Sequence, residues 1–243
     1  MKKKIEPKKY NNKLNKVFGT PPITYNEIDK VVENIKRIRE EAFEMFKNRE
    51  FYEAACFYKA LLDNVLEYLN NVDDEYGKLS DTVYEFIRYF SESCKNSEVI
   101  DKEDFYNKSL KLYIEEDLGF TDEITHLIID NIANDKEKNY LVKLIKNKLE
   151  TDKLSKYNHN KLVELLLKIY RKYNEFDKYI ETCKLMSEDR WERYVKPSEI
   201  YESLGEYENA LQIVEEGMRN LPEHKDIFQT RYEDLKKRIL GLK

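Results

Sequence analysis

Three stretches of this chain share one six-residue pattern, and nothing else in the sequence limits the fold as tightly. Arg49-Glu50-Phe51-Tyr52-Glu53-Ala54, Asn174-Glu175-Phe176-Asp177-Lys178-Tyr179 and Gly205-Glu206-Tyr207-Glu208-Asn209-Ala210 all read as turn residue, Glu, aromatic, two polar residues, packing residue. Apolar residues at helical spacing flank each stretch, so each is expected to be the corner of a helical hairpin. Repeated corners of one type predict stacked helix–turn–helix layers.

Punctuation agrees. Six Gly and five Pro in 243 residues are too few for a strand-rich fold with its many turns. Three cysteines (Cys56, Cys94, Cys183) lie far apart within apolar helical pattern, which predicts buried thiols in a reducing, cytoplasmic compartment. No apolar run is long enough to span a membrane, and no signal-peptide core follows the first lysines.

Residues 1–16 carry seven Lys and one Glu, although the whole chain is at −5. Residues 1–22 are therefore expected to form a basic, disordered tail ending at Gly19-Thr20-Pro21-Pro22. The tail either folds back on an acidic body or touches a polyanion. With no Arg and a single aromatic, Tyr10, nucleic acid is the weaker reading.

A first helix is expected from Thr24 or Asn26, ending in the Lys47–Glu50 turn, with a second through Leu69. In the middle, Asp73-Asp74-Glu75-Tyr76-Gly77 precedes Ser80-Asp81, and Glu115-Glu116-Asp117-Leu118-Gly119 precedes Thr121-Asp122. Glycine can close the turn, and Ser80 or Asp81, and Thr121 or Asp122, can cap the next helix. Helices are predicted over 81–94, 102–116, 122–134 and 136–150. The acidic triplets lack the alternating oxygen spacing of a calcium loop, so solvated turns are expected there and no metal. Asp122, His126 and Asp130 share a helix stripe, which reads as a wet face beside Ile124, Leu127, Ile128 and Ile132.

From Trp191 to Pro222 the chain resembles a tetratricopeptide repeat: Tyr201, Gly205, Tyr207, Ala210, Val214, Gly217 and Pro222 fall at that family's spacing. The preceding unit, about 160–190, keeps Tyr170 and Phe176 but has Tyr179 where Ala is usual, and reads as a degenerate repeat. Trp191 is expected to pack between repeats, and Ile227, Tyr232, Leu235 and Leu240 to form a capping helix. More widely, Phe51–Leu69 with Val72–Gly77, then Tyr113–Asp122, then degenerate repeats, resembles the helical region associated with SWIM zinc-finger proteins. The CxC and CxH of that finger are absent, so no zinc function follows. The expected fold is all-α, a right-handed α–α superhelix of tetratricopeptide- or HEAT-like hairpins. Its divisions are 1–22, an irregular hairpin region 23–150, and repeats with a capping helix over 151–243.

The tetratricopeptide resemblance implies a concave groove lined by positions of each first helix. These are Lys161, Glu164, Lys168, Arg171 and Lys172 in one unit, and Glu192, Val195, Glu199, Glu202 and Ser203 in the next. Lys161/Glu192, Lys168/Glu199 and Arg171/Glu202 stand at equal offsets. They read either as a charged groove for a peptide or as a ladder of ion pairs between repeats. The expected function is a non-enzymatic scaffold or adaptor for a protein or peptide, with no cofactor. A metal-dependent hydrolase using the acidic clusters, or a nucleic-acid factor using the basic arm, are the alternatives.

Overall fold

In the computed structural model, residues 2–18, 25–69 and 78–241 are described. The fold is all-α. Its helices are α1 (Asn11–Phe18), α2 (Tyr25–Lys47), α3 (Phe51–Leu69), α4 (Lys78–Asn96), α5 (Lys102–Glu115), α6 (Thr121–Asp130), α7 (Asp135–Thr151), α8 (Lys156–Lys172), α9 (Phe176–Cys183), α10 (Glu192–Ser203), α11 (Tyr207–Asn220) and α12 (Lys225–Ile239). Short 3-10 turns cover Pro7–Tyr10 and Pro222–His224. Among the described residues the one β contact is a parallel bridge from Lys3 to Ile100. None of the described helices is long and apolar enough to cross a membrane.

The three corners share one hydrogen-bond pattern. Arg49, Asn174 and Gly205 all sit at left-handed φ, of 62°, 55° and 77°. The next amide closes a six-residue ring in each case: Glu50 N–H to Met45 C=O at 2.9 Å, Glu175 to Tyr170 at 2.9 Å, Glu206 to Tyr201 at 2.8 Å. The left-handed residue itself donates three residues back, to Phe46, Arg171 and Glu202. This is the Schellman closure, which satisfies carbonyls that a helix end leaves orphaned. The Glu carbonyl then accepts from Ala54, Tyr179 or Ala210, starting the second helix at Phe51, Phe176 or Tyr207. Those three aromatics are half-buried, whereas Ala54, Tyr179 and Ala210 are buried against the partner helix.

The chain divides into two compact units, Met1–Leu141 and Val142–Lys243. The division falls within α7, some nine residues before the expected boundary at 150/151. In the first unit α3 is the central element: every residue from Ala54 to Leu62 is buried. A helix buried all round must be covered all round, and α1, α2, α4 and the first 3-10 turn cover it. In the second unit α8–α9 and α10–α11 form hairpins and α12 packs on α11. Tyr194, Val195, Ala210, Val214, Leu221, Phe228 and Leu235 make its buried cluster, with Trp191 packed against it.

The expected tail is not disordered over residues 2–18. Ile5 and Leu14 are buried, and Tyr10 stacks on Phe57 with ring centroids 4.2 Å apart. Lys3 N–H donates to Val99 C=O at 2.7 Å, Asp101 N–H donates to Lys3 C=O at 2.8 Å, and the Ile5 amide donates to Asp104 Oδ2 at 2.7 Å. Apolar side chains spaced between the lysines explain the order: burying them favours docking even though the lysines stay at the rim. Gly19–Pro22, Thr24 and the turn at 73–77 lie outside the described residues. α2 begins at Tyr25, and Ser80 and Asp81 fall inside the first turn of α4 rather than capping it.

Candidate functional site

The expected groove positions lie on α8 and α10 and differ in burial. Lys161 and Val195 are buried, and the Lys161 ammonium stands 5.4 Å from the Tyr157 ring. Lys168, Arg171 and Lys172 are exposed along the last turns of α8, where cations complement the helix dipole. Glu199 is exposed as well. Ser203 turns back on its own helix, donating to Ile200 C=O at 2.7 Å.

The acids of the expected ladder have other partners. Glu192 holds Arg190 by two bonds, of 2.6 and 3.1 Å. Glu202 takes Arg231 at 2.8 Å and Arg238 at 3.2 Å, both from α12. Glu164 takes Lys196 at 2.5 Å and lies 3.7 Å from Arg190. Glu192 is thus engaged by Arg190, and Glu202 by the last helix. The ion pairs that join α8 to α10, and α10 to α12, run through residues one or more positions away. Arg231 goes deepest, since its Nε also donates to the buried Ser198 hydroxyl, which bonds Val195 C=O. Lys196 and Arg231 were not among the groove residues expected from the sequence. Extending the repeat period into the last helix is the signal that could have found Arg231.

The acidic turn at 115–117 builds structure. Glu116 is buried, and one carboxylate oxygen accepts from the amides of Leu118 at 2.6 Å and Phe120 at 2.8 Å. The other accepts from the Thr121 hydroxyl at 2.7 Å. The residue expected to be solvated therefore holds the loop before α6. Neither Thr121 nor Asp122 caps it: Phe120 stands at the cap position without a side-chain bond. Glu115 lies 3.7 Å from Lys111. His126 and Asp130 are 3.7 Å apart and both exposed. Among the described residues no three His, Cys, Asp or Glu side chains gather as a metal site. The triplet at 73–75 lies outside them.

The three thiols are buried and unpaired. Burial pushes Cys183 up to about 12 and holds Cys56 and Cys94 above the usual thiol range. Tyr179, one helical turn before Cys183, is also pushed up to about 12, chiefly by burial.

No protein family, no characterised protein and no solved structure matches this chain.

Proposed function

We propose that this chain is a non-enzymatic interaction scaffold that grips a protein or peptide segment on its helical hairpins, as layers of a right-handed α–α superhelix of tetratricopeptide type. The observation that carries the reading is the corner built three times from one hydrogen-bond scheme, with an aromatic residue opening each second helix. Repetition of a corner serves a regular surface, and regular helical surfaces bind extended partners. Between its neighbouring helices, Glu164–Lys196 and Glu202–Arg231 fix how the layers align. Partly exposed pairs of this kind set register more than stability. The exposed basic row Lys168, Arg171 and Lys172 is the proposed contact for acidic groups of the partner.

Selection from a random peptide display library on the immobilised full chain tests this. Enriched peptides should be acidic, and the double variant Lys168→Glu, Arg171→Glu should bind them at least about tenfold more weakly, close to 1.4 kcal/mol. A selection that enriches nothing, or peptides indifferent to both substitutions, would refute it.

A further inference from the structure

A second surface stands out in the first unit, at the first of the three corners. Phe43 and Phe46 of α2, Phe51 of α3 and Tyr89 of α4 meet there as half-buried rings. They form the floor of a shallow groove of about 480 Å³. That volume lies within the usual span of small binding sites. Tyr58, fully buried, stacks under Tyr89 at 5.2 Å and 18°, so the floor is braced from behind. Three cations rim it, Lys47, Arg49 and Arg88, with the carboxylate Glu92 in the lining and Glu44 paired to Lys47. On a chain of net charge −5 this is a local reversal of sign.

Arg49 is the anomalous member. The equivalent left-handed positions hold Asn174 and Gly205, the residue types that reach this conformation most easily. The bonds that close the corner are all backbone bonds, while the Arg49 side chain lines the groove beside it.

We infer that this shelf docks an acidic peptide segment carrying one bulky apolar side chain, which enters between the rings while its flanking carboxylates meet Arg49 and Arg88. The inference rests on the scaffold reading and gives it a second site with a defined ligand. Charge complementarity and ring geometry choose this occupant. The floor rings meet edge to face, at 5.1–5.5 Å and 61–70°, which makes a cup and not a row of parallel faces. Successive nucleic-acid bases need such open faces. Two of the faces are also already covered: Arg88 stands 4.6 Å from the Tyr89 centroid and Lys47 5.1 Å from that of Phe43. A cup with a cationic lip suits an apolar anchor between carboxylates.

Fluorescence anisotropy on the full-length chain tests the inference with three labelled probes. One is a short peptide with a single tryptophan between aspartates and glutamates, the second replaces its tryptophan by alanine, and the third is a single-stranded oligothymidylate. The tryptophan peptide should bind and the alanine peptide should not. Arg88→Gln and Arg49→Gly should each weaken it by about tenfold, the scale of one desolvated charged contact. Arg49→Gly separates binding from folding, because glycine suits the corner: affinity should drop while the urea midpoint holds or rises. Arg49→Lys should keep most of the affinity. No binding of the tryptophan peptide to the wild-type chain, or binding indifferent to both variants, overturns the inference. So does oligothymidylate binding that these variants abolish, which would make the shelf a nucleic-acid surface. Peptide binding lost only in Lys168→Glu would sink the shelf and leave the scaffold reading standing on α8.

Discussion

Tyr10 and Phe57 lie face to face, ring centroids 4.2 Å apart and planes 2° from parallel. A residue of the lysine-rich arm thus stacks on the central helix of its unit, and the arm's cations turn to the body as well. Lys9 pairs with Glu53, Lys13 with Glu41, and Lys3 stands 5.0 Å over the Tyr52 ring. The arm is core first and charge second. Leu14, fully buried, should cost about 3 kcal/mol when cut to alanine. Reversing the partly exposed Lys13 to Glu should cost less than about 1 kcal/mol. Urea unfolding followed by circular dichroism ranks the two, and the opposite order would restore the picture of a loose tail.

The corners could be read from sequence because everything that builds them is local. A left-handed residue, an aromatic one helix-start later and a small or packing residue three beyond that fit in six positions. The arm could not, because Ile5 and Leu14 show no helical period and find their cover on helices far along the chain. Glu116 looks like any surface acid until three donors are seen to converge on it. Ion-pair partners depend on how far one helix is shifted along another. A slip of one residue gives Glu164 to Lys196, and sends Glu202 to α12 instead of α8. Repeat spacing fixes which helices are neighbours more firmly than it fixes which side chains touch.

The shared left-handed corner gives opposite substitutions opposite effects at two of its copies. Gly205→Ala should destabilise by about 1 kcal/mol, the usual cost of a side chain at such φ. Its added Cβ would meet nothing within 4 Å, so the loss is conformational and not steric. Arg49→Gly should stabilise the fold by a comparable amount, about 1 kcal/mol. Thermal unfolding of the two variants checks both signs, and a loss of stability in Arg49→Gly would show that the arginine side chain itself holds the corner.

Gly217 presents the other reason for a glycine. It lies in α11 at ordinary helical dihedrals, but an added Cβ would fall 2.6 and 2.8 Å from two Phe228 ring carbons and 3.0 Å from Tyr194 Cβ. Here α11 is wedged between α10 and α12 with no room for a methyl group. Gly217→Ala is expected to cost about 1–3 kcal/mol by overpacking. Shortening the obstacle with Phe228→Leu should recover part of that loss in the double variant. A double-mutant cycle reads the coupling directly, and strict additivity would exclude the clash.

Glu116 carries three hydrogen bonds from the loop before α6. Glu116→Ala leaves the Leu118 and Phe120 amides and the Thr121 hydroxyl without that acceptor, and should cost about 2–3 kcal/mol. Hydrogen exchange should report it locally, through lost protection at Phe120 and the start of α6. Glu115→Ala, one residue away on the exposed side, should change neither stability nor exchange by more than about 0.5 kcal/mol.

Alkaline pH should loosen the second unit through α9. In an unfolded chain the Cys183 thiol ionises near pH 8.5, roughly the free value, whereas in the fold burial carries it up to about 12. Between those values the native state holds the proton and the unfolded state releases it. Stability is therefore full below about pH 8.5 and falls as pH rises, by up to about 1.4 kcal/mol per unit. Tyr179, also raised to about 12, joins above its ordinary value near 10 and steepens the decline. Cys183→Ala removes the thiol's share, so the stability difference between wild type and variant should shrink as pH climbs from 8 toward 10, by up to about 1.4 kcal/mol per unit above pH 8.5. Urea midpoints at stepped pH measure that difference. A gap independent of pH would mean the thiolate is tolerated inside α9, contrary to the burial that holds its proton.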